Sequence, residues 1–275
     1  MDSDETLIER ARSGDDDALA ALVARHAPRV LRFGLKLCKD EETARDVLQE
    51  TLLTAARGIR GFRRESRFST WLFAIARSIC IKQRTRGGAT KAAEPLDESA
   101  HFEGGGGLVD PKPPPDETIA SLELGQALER AIRELEPAQR EVLVLRDVEG
   151  LSAREVGQVL SLGEEAVKSR LHRARRALRQ RLAPLFEEPP PRPTCPDVFE
   201  LLSRHLEGEI TREACATMEA HVAACPHCAA RCTSLRAVLA ACTRAAEPEL
   251  DPQLRAELVA SMRRALSAPA PGTQE

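Results

Sequence analysis

Along residues 41–59, Ala44, Leu48, Leu52, Ala55 and Ile59 recur at steps of three and four, which predicts a helix with one apolar stripe. Asp46, Gln49 and Glu50 fall near its opposite pole, where a solvated polar face is the ordinary expectation. A second stripe, Leu72, Ile75, Ala76 and Ile79, predicts another helix around 71–81. Arg77, Lys82, Arg84 and Arg86 form its basic flank. Two stretches break the periodicity. Residues 87–117 hold six Gly and five Pro and read as a flexible linker. Residues 187–194 form a shorter, stiffer, proline-rich spacer. Three segments result, 1–86, 118–186 and 195–266, with a disordered tail at 267–275. Each reads as helical, so the expected fold class is all-α: two helical domains joined by a linker, plus a small helical domain.

The sharpest local pattern lies in 118–186. Ser152-Ala-Arg-Glu155 is a capping box that starts one helix. Ser161-Leu162-Gly163 makes a tight turn, and a second helix begins near Glu164. In that helix Val167, Leu171, Ala174 and Leu178 share a narrow arc and should pack on the first. The opposite face presents Glu165, Ser169, His172, Arg173 and Arg176, flanked by Lys168, Arg170 and Arg175. A helix that is apolar on one side and Arg-rich on the other, behind a tight turn, suits a recognition helix in a DNA major groove. Arg173 and Ser169 would reach base edges, and the flanking Arg and Lys would hold phosphates. The plainer reading is a basic amphipathic helix in any bundle; turn, cap and charge together favour DNA.

Charge and composition sharpen this. The net charge of −3 averages opposed segments. Residues 57–86 carry nine Arg or Lys and one acid, and residues 164–182 carry seven against two Glu. Residues 187–275 hold thirteen acids and nine bases. Two basic patches and a mildly acidic tail suggest two nucleic-acid contacts and a tail that does not share them. With no Tyr, one Trp and seven Phe, the cores must be built from aliphatic side chains, which suits helices. No apolar run approaches a membrane span, and the acidic N-terminus does not resemble a signal peptide, so a cytoplasmic location with no membrane partner is expected.

Asp46-Val-Leu-Gln-Glu-Thr-Leu52 and Phe68-Ser-Thr-Trp-Leu72-Phe-Ala-Ile-Ala-Arg77 resemble region 2 of the extracytoplasmic-function (ECF) sigma factors. Leu135-Glu-Pro-Ala-Gln-Arg-Glu-Val142, Gly150-Leu-Ser-Ala-Arg-Glu-Val156 and Val167-Lys-Ser-Arg-Leu-His-Arg-Ala-Arg175 resemble their region 4. The two likenesses occur in order and cover about 1–86 and 118–183. The resemblance implies that Asp46, Gln49 and Glu50 dock on core RNA polymerase. It also implies that the stretch from Phe62 to Arg77 reads the −10 promoter element as a single strand, and that region 4 reads the −35 element as duplex. Arg63, Arg64 and Arg67, with Trp71 and Arg77, are the region 2 candidates, since aromatics among arginines suit stacking and backbone attraction. Core packing competes as the role of Trp71. Two departures bear on promoter preference: Ser78 replaces a common Asn, and Gly163 and Ala166 stand where Ser and Thr are common.

Six of the eight cysteines lie between Cys195 and Cys242. In a reducing compartment such clusters are more often metal ligands than disulfides. His221 and Cys225 can share a helical face, and Cys225-Pro-His-Cys228 has the spacing of a metal knuckle. Cys195 is the choice for a fourth ligand, with His205, His227, Cys215 and Cys232 as alternatives. Thiolate and imidazole ligands favour zinc. The segment also resembles the zinc-containing anti-sigma domain, through Cys195-Pro-Asp-Val-Phe-Glu-Leu-Leu, Leu206-Glu-Gly-Glu-Ile210 and Met218-Glu-Ala-His-Val-Ala-Ala-Cys225. That resemblance places Cys195 at the first ligand and implies contact between this domain and the sigma domains, with regulation in cis. A purely structural zinc module is the plainer alternative. Two other functions compete: a helix-turn-helix regulator that is no polymerase subunit, and a zinc hydrolase. The first leaves 41–79 unexplained, and the second lacks an open metal position and a nearby base, so no enzyme is expected.

Overall fold

The computed structural model describes residues 2–38, 40–88, 119–186, 192, 194–245 and 247–267. Of the linker expected over 87–117, only 87 and 88 are described, as the end of a helix; 89–117, most of the proline-rich spacer and the tail from 268 lie outside the described residues. Among the described residues every regular element is helical.

The chain forms two compact units. The first contains α1 (Asp4–Arg12), α2 (Asp16–Leu37), α3 (Glu41–Gly58) and α4 (Phe68–Gly88). Each of the first three helices starts where a short oxygen-bearing side chain captures an orphan amide: Ser3 accepts from Thr6, Asp15 from Asp17 and Ala18, and Asp40 from Thr43. The stripe predicted in 41–59 forms the α3 contribution to the core, since Ala44, Leu48, Leu52, Ala55 and Ile59 are all buried. Gly34 lets α2 and α3 approach closely, because a Cβ there would lie 3.2 Å from that of Ala44. Phe33 and Phe73, rings 5.3 Å apart, join α2 to α4. The last helix of the chain packs in this unit as well.

The second unit contains α5 (Ile119–Arg133), α6 (Pro137–Leu143) running into a π-turn (Val144–Val148), α7 (Ala153–Leu160) and α8 (Glu164–Leu182). It also holds α9 (Val198–Leu206), α10 (Arg212–Ala224) and α11 (Pro226–Arg244). The capping box at Ser152 and Glu155 forms in both directions. Between α7 and α8, Ser161 takes a left-handed conformation (φ 56°), and the Leu162 amide donates to the Gly157 carbonyl at 2.9 Å. A Cβ on Gly157 would meet the Leu162 carbonyl oxygen at 2.7 Å, so the turn requires glycine there. Val167, Leu171, Ala174 and Leu178 are fully buried, as their spacing predicts. Val198, Phe199 and Leu202 of α9 form a small separate core with Met218, Cys228, Cys232 and Leu235.

The last helix, α12 (Pro252–Ser267), belongs to the first unit. It packs on α2 and α3, burying Leu258 and Met262. Arg263 pairs with Asp16 at 2.6 Å, and Arg60 donates to the Leu266 carbonyl at 3.0 Å.

Candidate nucleic-acid interface and metal centre

In the first unit, Asp46, Gln49 and Glu50 stand exposed on the outer face of α3. The connection from α3 to α4 is fixed from beneath. The Arg12 guanidinium donates to the Ile59 carbonyl at 2.9 and 2.6 Å and to the Phe62 carbonyl at 2.8 Å. Phe62, Phe68 and Trp71 make an aromatic cluster, with Phe62 and Trp71 rings 4.9 Å apart. Trp71 is half-buried, and its ring edge lies against Gly58, so it serves packing while keeping part of its surface open. Arg63, Arg64 and Arg67 are exposed, Arg64 at a positive φ of 62° and paired with Glu9; Arg77 is half-buried.

On α8, Glu165, Ser169, Arg173 and Arg176 are exposed, and Lys168, Arg170 and His172 are half-buried. That face is occupied from within the same unit. Arg176 reaches Glu200 at 2.6 Å and Asp197 at 3.3 Å. His172 holds Ser203 through Nδ1 and Glu209 through Nε2, both at 2.7 Å. Lys168 lies 3.9 Å from Glu209, and Arg179 stacks over Phe199 at 5.5 Å. Gly208, with φ 70°, forms the turn that sends both Glu207 and Glu209 toward α8.

Arg175, expected on the phosphate-holding flank, is instead buried at 3% exposure. It pairs with Asp147 at 2.6 Å and Glu207 at 2.8 Å, and donates to the Ser203 carbonyl at 3.2 Å. The physical reason is its position: Arg175 follows Leu171 by four residues and precedes Leu178 by three, so it borders the apolar arc. Two carboxylates hold its charge firmly on, raising its pKa against the opposing effect of burial. The acids Asp197, Glu200, Glu207 and Glu209 are partners of α8 that sequence reasoning missed. Their signal was the acidic character of the tail itself, which is complementary to α8.

Cys195, His221, Cys225 and Cys228 bring their ligand atoms within 4.8 Å of one another. Cys195 precedes α9, His221 lies in the last turn of α10, Cys225 closes that helix, and Pro226 opens α11. The Cys195 and Cys225 sulfurs are 3.8 Å apart, and His221 Nε2 lies 3.2 Å from Cys228 Sγ. A tetrahedral ion with bonds of about 2.3 Å to sulfur has ligand-to-ligand edges near ~3.8 Å, so the donor set fits zinc. Burial pushes Cys228 up to about 12, while an amide hydrogen bond from Cys228 lowers Cys225. Of the alternative ligands, Cys215 faces His205 at 3.4 Å, Cys232 belongs to the small apolar core, and His227 stays outside the four.

These features define a class: an all-helical protein with a helix-turn-helix and a Cys3His cluster in the same unit. Comparison with known proteins narrows it. The Sigma-70 region 2 family matches residues 22–90 and Sigma-70, region 4 matches 125–178, while the family described as "Putative zinc-finger" matches 195–229. The chain is 30% identical over 189 residues to the RNA polymerase sigma-H factor of Pseudomonas aeruginosa, covering 68% of this chain and 98% of that one. It is 31% identical over 186 residues to the ECF RNA polymerase sigma-E factor of Escherichia coli K12, covering 67% and 96%. Among solved structures it is similar to CnrH in complex with the cytosolic domain of CnrY, at 27% identity, a TM-score of 0.48, and coverage of 66% and 99%. The chain belongs to the ECF RNA polymerase sigma factors and carries a zinc-finger-type segment after region 4.

Proposed function

We propose that this sigma factor directs core RNA polymerase to promoters and that its C-terminal extension holds region 4 off duplex DNA. Asp46, Gln49 and Glu50 dock on the polymerase. Arg63, Arg64 and Arg67, with Trp71 and Arg77, take the −10 strand. Glu165, Lys168, Ser169, Arg170, His172, Arg173 and Arg176 face the −35 duplex. The protein works in the cytoplasm, where polymerase and promoter DNA are.

The observation that carries the regulatory part is the occupancy of α8 by Glu200 and Glu209 at 2.6 and 2.7 Å. Carboxylates there neutralise the same cations that would release counterions from DNA phosphates. Entry into the groove therefore requires these contacts to open first. Cys195, His221, Cys225 and Cys228 would hold a zinc ion that ties the start of α9 to the α10–α11 junction. All four positions are protein ligands, so the ion's contribution is structural. The extension engages each sigma unit separately: α9–α11 pack on region 4 and α12 packs on region 2.

The test is the intact chain carrying Glu200→Gln and Glu209→Gln, measured by fluorescence anisotropy on a promoter duplex and by run-off transcription with core polymerase. Removing two charge-assisted contacts should tighten duplex binding about tenfold. A control with Glu249→Gln and Glu257→Gln, exposed acids of the other unit, changes net charge equally and should leave affinity near that of the parent. Equal affinity of the two variants would refute the mask.

A further inference from the structure

The first unit contains a thiol pair that neither promoter recognition nor the metal cluster uses. Cys38 caps the C-terminal end of α2, its amide donating to the Gly34 carbonyl at 2.7 Å. Cys80 lies on α4 within the buried stripe that includes Leu72, Ala76 and Ile79. Their sulfurs stand 3.2 Å apart, although 42 positions separate them in sequence. The two differ in access: Cys38 is partly exposed, whereas Cys80 is 3% exposed. We propose that Cys38 and Cys80 form a peroxide-reactive dithiol, with Cys38 the attacking thiol and Cys80 the resolving one, which closes a disulfide across region 2.

The surroundings suit this order. The hydrogen bond from Cys80 and the nearby Arg84 charge lower the Cys38 thiol below its ordinary value, against burial and Asp40. The Cys38 thiolate attacks one oxygen of hydrogen peroxide and breaks the O–O bond; the product is a sulfenic acid, and the departing hydroxide takes a proton to leave as water. Cys80 sulfur then attacks the sulfenic sulfur and displaces its hydroxyl, which leaves as a second water with the Cys80 proton. Two thiols lose two electrons in all, and one peroxide is reduced to two waters. A bond of about 2.05 Å requires the sulfurs to close by only about 1.2 Å.

The closed loop is selective in what it encloses. Asp46, Gln49, Glu50, Arg63, Arg64, Arg67, Trp71 and Arg77 all lie between positions 38 and 80. The bond therefore converts every region 2 recognition residue into part of one covalent ring. That ring has lower chain entropy when unfolded, so oxidation raises the stability of this unit.

Trypsin gives a direct readout, since Cys38 falls in the peptide 37–39 and Cys80 in 78–82. The full-length chain, exposed to graded hydrogen peroxide and mapped by mass spectrometry, should yield these two peptides linked with the loss of two hydrogens. The map separates this bond from any among the six C-terminal cysteines, and a dithiol reductant should reverse it. In Cys80→Ser, Cys38 should be labelled by a sulfenic-acid probe; in Cys38→Ser, Cys80 should stay unlabelled. Oxidation of the parent should raise the thermal midpoint of the first unit by about 10 °C, and Cys38→Ser should abolish that shift. Absence of the 37–39 to 78–82 link at peroxide levels that oxidise other cysteines, or absence of label on Cys38 in Cys80→Ser, would overturn the proposal.

Discussion

The two recognition surfaces of this protein are held in opposite ways. In region 2 the loop from Phe62 to Arg67 is fixed from beneath by Arg12, which spends its guanidinium on backbone carbonyls and leaves the loop arginines exposed. In region 4 the recognition helix is covered from above, with His172, Lys168 and Arg176 facing carboxylates of the extension. Support from below orders the loop from within its own unit. Cover from above sets the extension's carboxylates against the face that we propose for the −35 duplex.

The strongest way to break this contrast is to remove the metal that the cluster at Cys195, His221, Cys225 and Cys228 fits. Cys228→Ser, or a chelator, should loosen α9–α11, because structural zinc sites contribute folding energy directly. Duplex binding by α8 should rise by at least about tenfold, while circular dichroism shows loss of helix from the extension. Unchanged affinity in a chain that has lost that helix would mean the cover is not what limits region 4.

A more local change tests the seam itself. Arg175→Ala leaves Asp147 and Glu207, each under a tenth exposed, without their shared cation. Breaking a buried ion pair by removing one partner costs about 3–5 kcal/mol. Denaturant unfolding should show the transition of the second unit weakened and that of the first unchanged. A shift of both would show that the two transitions are not separate.

The smallest effect belongs to the first unit and appears only in acid. The His26 ring, with Nε2 3.0 Å from the carboxylate, lowers the Asp4 carboxyl to about 2 from 3.8 against the cost of burial, with Arg25 at 2.6 Å assisting. A folded value below the unfolded one means the stabilisation is present above pH ~3.8 and is lost as pH falls toward ~2. The Asp4 side chain is only partly buried, 28% exposed, so solvent screening reduces the contribution to about 1 kcal/mol. Asp4→Asn should lower the stability of this unit by that amount at pH 7, with the gap from the parent closing between pH 4 and 2 in thermal melts.

Local features were legible in the sequence, and tertiary ones were not. The capping box at Ser152 and the buried arc from Val167 to Leu178 depend on spacing within a few residues, so the linear pattern contains them. The same holds for His221, Cys225 and Cys228. Cys195 remained one choice among several because the twenty-five residues between it and His221 impose no geometry. The fold of α9 onto α11 brings its sulfur within 4.8 Å of the other three ligand atoms. The polar face of α8 read as a DNA surface because a helical wheel shows which side chains point outward and not what stands opposite them. Arg175 was misplaced for the same reason: its partners, Asp147 and Glu207, come from the π-turn before α7 and the turn after α9. Helix α12, grouped by sequence with the cysteine-rich segment, packs with region 2 through Leu258 and Met262.

The short connection from Leu182 to Val198 has one more consequence. Each recognition helix is synthesised together with its own cover, in a ratio of one to one. Doubling the number of copies in a cell doubles both, so abundance gives no leverage over the fraction uncovered. Under the proposed mask, the set point lies in the chemistry of the seam, and expression level changes only the total amount of the open form.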